Sequence, residues 1–270
     1  MRRFLLLAPN FVLDRSAAPY RRLSVTLLLA ARRPFELEAG DYAPLKAHAA
    51  LIGPGVPRRR IVARDSDIAI FDLPIDSPEI QPLCQLLRAR EVVQLDVRRF
   101  GALLPLLGRG LAGRLRTNEV AWACRTAIRA AGGFDPPHSD LDPRISQAVA
   151  LMGELPLDCD GPREVARHLH LSPSRLRHLF HQHMGTSVGY YHRWTATWRA
   201  ALMMSQGSPL TEVAHAIGFY DLSHMDHAFS EAFGLSPSTL LDPARVTLVP
   251  CTRPVRPVPV APNGPIKMRS

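Results

Sequence analysis

Cysteine is scarce in this 270-residue chain. Cys84, Cys124, Cys159 and Cys251 are scattered, with no CxxC pair. That excludes a zinc ribbon and a disulfide scaffold, which need cysteines in close or paired sets. Four reduced, mostly structural thiols are expected. No apolar run approaches the roughly 18–20 residues that cross a bilayer. Phe4–Ala8 follows two arginines as in a secretory leader. Pro9-Asn10 ends it below the roughly 7–15 apolar residues a leader needs, so a cytoplasmic protein is expected. Histidine is nearly absent from the first half: His48 is alone within residues 1–137. One imidazole with no nearby partner is a poor metal site, so no metal or other cofactor is expected.

Charge and length are what the chain does have. The net charge is +9, unevenly spread. Residues 1–141 carry +7, residues 142–243 carry −3, and residues 244–270 carry +5 with no acidic side chain. A basic balance suits polyanionic partners but by itself argues only solubility and non-specific binding. The length accommodates two domains with separate cores.

The first third reads as strands. Leu23–Ala31, Phe35–Glu38, Ala47–Ile52, Arg60–Ala63 and Ile68–Leu73 are short β-prone runs separated by Gly, Pro and Asp. That spacing predicts a small antiparallel sandwich or barrel. Pro78–Arg90, Val97–Leu107 and Asn118–Ala131 then show helical periodicity. Their apolar faces suit a second subunit or packing on the sheet equally well. Gly132-Gly133 and Pro136-Pro137 end this part. Residues 138–142 read as a linker. Asp142-Pro143 opens a new helix, with Asp as N-cap and Pro at the first helical position. The Pro-rich basic segment 244–270 reads as disordered, with charge suited to DNA phosphates.

The strongest signal is an internal repeat. Glu164-Val165-Ala166 and Glu212-Val213-Ala214 lie 48 residues apart, as do Leu169 and Ile217. One inserted residue later, Leu176 and Met225, Phe180 and Phe229, Gly185 and Gly234, and Ser187 and Ser236 lie 49 apart. Each copy reads as helix, tight turn, second helix and glycine stop, the layout of a helix-turn-helix. Gly218 supplies the left-handed turn residue of the second copy. The matching position in the first is His170, where positive φ is less easy. Ser172-Pro173 and Asp221 are the expected caps of the second helices.

These residues resemble the AraC/XylS-type transcription regulators, named for the bacterial arabinose operon. The match runs from about Asp142 to Leu241. It rests on Asp142-Pro143-Arg144-Ile145, Glu164-Val165-Ala166, Leu171-Ser172-Pro173-Ser174-Arg175-Leu176, Leu179-Phe180 and Gly185-Thr186-Ser187. It continues through Glu212-Val213-Ala214, Ile217-Gly218-Phe219, Asp221-Leu222-Ser223-His224 and Phe233-Gly234-Leu235-Ser236-Pro237-Ser238. The resemblance implies an α+β multidomain chain. A cupin-like β-barrel (residues 1–75) and its helices (76–137) would sense an effector or dimerise. An all-α double helix-turn-helix (143–243) would bind double-stranded DNA. The linker helix, about Val188 to Met204, would set two recognition helices about one DNA turn apart, roughly 34 Å. The first recognition helix is Ser174–His183 and the second Leu222–Phe233.

By the same resemblance Ser174, Arg177, His178 and Gln182 face DNA in the first, and Ser223, His224 and His227 in the second. Arg177 suits bidentate reading of guanine. Arg175, Arg163 and Arg167 suit phosphate or surface roles. The chain departs from the family at His178, His227 and Ala196, where Arg is common. Residues 209–234 carry Glu212, Asp221, Asp226 and Glu231 and no Lys or Arg. The first unit is therefore expected to dominate affinity, since phosphate neutralisation supplies much of it. Nine of the eleven histidines lie in 142–243, which also suggests a pH-sensitive DNA contact.

The resemblance further implies an activator that is not an enzyme. Its partners would be RNA polymerase, a small-molecule effector in the barrel and a second subunit, with no membrane association. Two rivals remain: a module whose acidic second unit binds protein, and a cupin enzyme. The enzyme would need an HxH pair, a Glu and a further His, of which the first domain offers only His48.

Overall fold

The computed structural model describes residues 4–88, 90–132 and 142–250. Among the described residues ten strands lie in two antiparallel sheets. They are β1 (Phe4–Pro9), β2 (Val12–Asp14), β3 (Ser24–Ala30), β4 (Phe35–Ala39), β5 (Leu45–Ala47), β6 (Ala49–Ile52), β7 (Arg58–Val62), β8 (Asp67–Pro74), β9 (Val92–Gln94) and β10 (Thr247–Pro250). The larger sheet runs β10-β1-β8-β3-β6-β9 and the smaller β2-β7-β4-β5. The expected barrel is thus corrected: among the described residues the strands form two separate sheets with no closed barrel.

Burial explains the sequence patterns. One face of the large sheet presents Leu5, Leu7, Val25, Leu27, Leu29 and Phe71 to α1 (Gln81–Arg88), α2 (Leu104–Leu111) and α3 (Thr117–Gly132). Leu83, Phe100, Leu107, Val120, Cys124 and Ile128 come from these helices and the turns between them. The opposite face presents Leu6, Leu28, Ile52 and Ile70 to Phe35, Leu37 and Ile61 of the small sheet. With both faces covered, β1 and β3 are buried almost continuously rather than at alternate residues, since a clean alternation needs one wet face. Packing on the sheet also accounts for the apolar side of α3.

The remainder is helical: α4 (Pro143–Met152), α5 (Gly161–His168), α6 (Pro173–Met184), α7 (Val188–Ser205), α8 (Leu210–Ile217), α9 (Leu222–Phe233) and α10 (Pro237–Leu241). The caps fall where the sequence placed them. Asp142 accepts from Arg144 N–H, Ser172 from Arg175 N–H and Asp221 from His224 N–H.

The segment expected to be disordered from 244 begins instead with a strand. Residues 247–250 pair antiparallel with β1, Phe4 opposite Pro250 and Leu7 opposite Thr247. An open edge of unpaired N–H and C=O groups is a ready template for such a strand. Residues 251–270 and the expected linker at 138–141 lie outside the described residues.

Candidate nucleic-acid interface

The first hairpin is α5-turn-α6. His170 turns the chain at φ +53°, and Leu171 N–H donates to Ala166 C=O at 2.9 Å. Ala166 and Val165 are fully buried against Leu176, Leu179 and Phe180 of α6. With that face committed to the core, the other is left to solvent. Ser174, Arg175, Arg177, His178 and Gln182 are all exposed, so the five expected DNA-facing residues of this helix share one surface.

Their charges differ from those nearby. Arg163 pairs with Asp160 at 3.2 Å, and Arg167 pairs with Glu164, which lies three residues before it. That Arg167 contact holds the Glu164 carboxyl below its ordinary range. Arg175 and Arg177 have no carboxylate within 4 Å among the described residues. The two cations at the start of α6 are thus unneutralised, whereas Arg163 and Arg167 are held by their own helix.

The second hairpin, α8-turn-α9, repeats the geometry. Gly218 turns at φ +85°, and Gly185 and Gly234 stop α6 and α9 at φ +66° and +73°. Met225, Phe229 and Phe233 are buried where Leu176, Phe180 and Met184 are buried in the first copy. Ser223, His224 and His227 are exposed, together with Asp226 and Glu231. His224 Nδ1 accepts from Tyr220 N–H at 3.3 Å, and its ring meets the Phe219 ring edge-on. In the neutral ring the proton therefore sits on Nε2, making His224 a donor. Tyr220, beside the cap, is 92% exposed. The repeat did not mark it, because it belongs to the hairpin's loop and not to the shared apolar pattern.

Two grooves flank α9. One, about 530 Å³, lies toward Leu210, Pro237 and Ser238. The other, about 250 Å³, lies between α9 and α7 and is lined by Tyr190, Arg193, Trp194, His224, His227 and Glu231.

A third set of residues joins the two domains. Trp198 of α7 stacks on Phe4 of β1, centroids 3.7 Å apart, and its Nε1 donates to Asp72 at 3.2 Å. Asp72 also accepts from Ser24 and pairs with Arg22 at 3.7 Å, both charged side chains 4% exposed. Arg22 donates onward to the carbonyl of Phe233, the last residue of α9, at 3.1 Å. Tyr20 lies where a side chain at Gly234 would have to go, 2.8 Å from an added Cβ. Seven residues before Trp198, on the same face of α7, Tyr191 donates to Asp76 at 2.8 Å. None of the links between the domains was legible, since the partners are 115 to 214 residues apart.

His48 is half-buried, and no group of three or more metal-ligating side chains exists among the described residues. No helix there is long and apolar enough to cross a membrane. Cys84, Cys124 and Cys159 are unbridged, and burial pushes the Cys84 thiol up to about 11.

A pair of similar helical hairpins on one connecting helix, docked against a sheet-rich domain, defines a helix-turn-helix protein with an accessory domain. A helix-turn-helix domain family matches residues 165–242. The arabinose operon regulatory protein of Escherichia coli is 33% identical over 103 residues, 37% of this chain and 35% of that protein. The chain thus matches about a third of the length of this curated relative. Over the whole fold, the crystal structure of ToxT from Vibrio cholerae O395 superposes with a TM-score of 0.57 at 11% identity, covering 90% of this chain and 97% of that one. A ToxT structure bound to an unsaturated fatty acid gives 0.56 at 9% identity, covering 89% and 95%. Residues 165–242 are thus similar to a helix-turn-helix domain family, and the overall fold is like that of ToxT.

Proposed function

We propose that this chain is a sequence-specific DNA-binding transcriptional regulator in which α6 and α9 enter adjacent major grooves and α6 supplies most of the affinity. The observation that carries the reading is the exposed, unneutralised Arg175 and Arg177 at the start of a helix presented by a helix-turn-helix. Arg177 reads a guanine edge, and Arg175 holds a phosphate. Ser174, His178 and Gln182 line the same approach. Ser223, His224 and His227 supply the second, weaker contact. Residues 143–243 form the DNA-binding domain, and 1–137 the regulatory part. The regulatory sign we propose is activation, through contact of RNA polymerase with the acidic surface of the second hairpin. Dimerisation through the exposed sides of α1 and α3, where Leu86 and Trp122 are 42% exposed, completes the assembly.

The sheet domain is proposed to sense a small carboxylate. The likeness to a fatty-acid-bound fold supports this, as does Arg58. Its guanidinium is wholly buried, with no carboxylate within 4 Å among the described residues. Burial lowers its pKa to about 10.

Fluorescence anisotropy tests the reading with the full chain on its upstream duplex and on a scrambled duplex across a salt series. Preference for the upstream duplex, with affinity falling as salt rises, is the expected result. No binding to either at low salt overturns the reading and favours the protein-binding alternative for the second hairpin.

A further inference from the structure

We propose that Arg193, on α7, is the phosphate contact of the second helix-turn-helix hairpin, supplying across a groove the cation that residues 209–234 lack. The inference rests on the DNA-binding reading above and adds a residue outside both hairpins.

The second hairpin poses an electrostatic problem. A recognition helix in a major groove about 12 Å wide has a phosphate backbone on each flank. Affinity comes largely from cations placed against those backbones. α9 and the hairpin around it contain four carboxylates and no Lys or Arg.

The grooves beside α9 are where the backbones would run. The ridge of Ser223, His224 and His227 lies between them. The α10-side groove is lined by Leu210, Asp226, Ser230, Pro237 and Ser238, among others, with no arginine or lysine in its wall. The α7-side groove contains one, Arg193, facing His224 and His227.

The state of Arg193 fits that role. Its side chain is exposed, and no carboxylate lies within 4 Å of it among the described residues. Its guanidinium sits 5.7 Å from the centre of the Tyr190 ring, three residues earlier on the same helix. A cation over an aromatic face is held in place without losing its charge. The planar guanidinium matches two phosphate oxygens at once.

Neighbouring arginines are otherwise committed. Arg199, on the same helix, donates to Leu155 C=O at 3.0 Å. Arg21 donates to Gly55 C=O at 2.7 Å, and Arg245 pairs with Asp242 at 3.4 Å. Glu231 lines the same groove as Arg193 and opposes a phosphate there. This makes its neutralisation a second, independent probe.

The experiment uses the full chain and measures affinity by anisotropy on upstream and scrambled duplexes from 50 to 200 mM salt, with thermal unfolding as a check of folding. Arg193→Ala and Arg193→Gln are expected to reduce the slope of log K against log salt by about 0.9, the signature of one lost phosphate contact. The loss of affinity across that salt range then shrinks by roughly 3.5-fold. Both duplexes are affected alike, because phosphates carry no sequence. Arg193→Lys restores the slope, and Glu231→Gln tightens binding to both duplexes. An unchanged slope in R193A and R193Q, in a protein that still binds and is weakened by Arg177→Ala, overturns the proposal while leaving the DNA-binding reading standing. A loss of affinity with unchanged slope also overturns it, since that is a structural role. Absence of DNA binding by the unaltered chain removes both readings together.

Discussion

His170 and Gly218 hold the same turn position in the two hairpins and tolerate it differently. Both have positive φ, +53° and +85°. An L residue in the left-handed region carries a cost of roughly 1–2 kcal/mol. His170 bears that cost with room for its side chain. At Gly218 an added Cβ would also lie 2.8 Å from the backbone nitrogens of Leu157 and Asp158. Gly218→Ala should therefore lower stability by more than about 2 kcal/mol, through strain and backbone collision together. His170→Gly should leave it unchanged or raise it by up to about 1 kcal/mol, because relief of strain competes with the greater freedom of glycine in the unfolded chain. Thermal melts of the two variants check both. The turn geometry was legible because the repeat offset placed His170 opposite Gly218. The approach of the 157–158 backbone was not, because those residues lie outside the repeat.

Among elements, the legible ones were those whose burial is one-sided. α6 and α9 keep one apolar face and one polar face, and the extents that the resemblance implied for them match to within a residue at each end. β1 was not legible because both its faces are covered, which removes alternation and left Phe4–Ala8 reading as a truncated leader. β10 was not legible because four residues in a proline-rich stretch become a strand only through pairing with β1. The linker helix α7 was found, but its histidine was counted among those that suggest a pH-sensitive DNA contact. His192 is in fact 4% exposed, bonded to Leu155 C=O at 3.2 Å and pressed on Gly161 at the start of α5. Burial lowers its pKa from the ordinary value. The unfolded chain thus takes up the proton first as pH falls. The associated stability is complete above about pH 6.5 and is lost as pH drops below that toward the folded value. The melting temperature of the natural chain should fall from pH 7.5 to pH 5.5, with a smaller drop in His192→Gln. An equal drop in both would place the acid sensitivity elsewhere.

For the whole molecule, the decisive feature is that the domains share a core. Phe4 and Trp198 belong to one apolar cluster, and Asp72 joins α7 directly and the end of α9 through Arg22. The sheet domain therefore bears on the position of α9. Asp72→Ala strands the buried Arg22 charge, and a loss of about 3–5 kcal/mol is expected, the cost of breaking a buried pair. Hydrogen exchange should rise at α9 and β10 in that variant, and unchanged protection there would show that the domains dock without this pair. The helix-turn-helix match was legible from the helical half alone, and so were the residues on its exposed faces. The interdomain network was not, because Arg22, Asp72 and Trp198 carry no local pattern that marks them as partners.

DNA recognition is proposed to be unequal between the two hairpins, with α6 dominant. The most direct measurement compares Arg177→Ala and His227→Ala by anisotropy on the same specific and scrambled duplexes at one salt concentration. R177A is expected to lose about 1–3 kcal/mol on the specific duplex and with it most of the preference over the scrambled one. A distinctly smaller loss is expected for H227A. Equal losses would contradict the proposal and make the two helices equivalent readers.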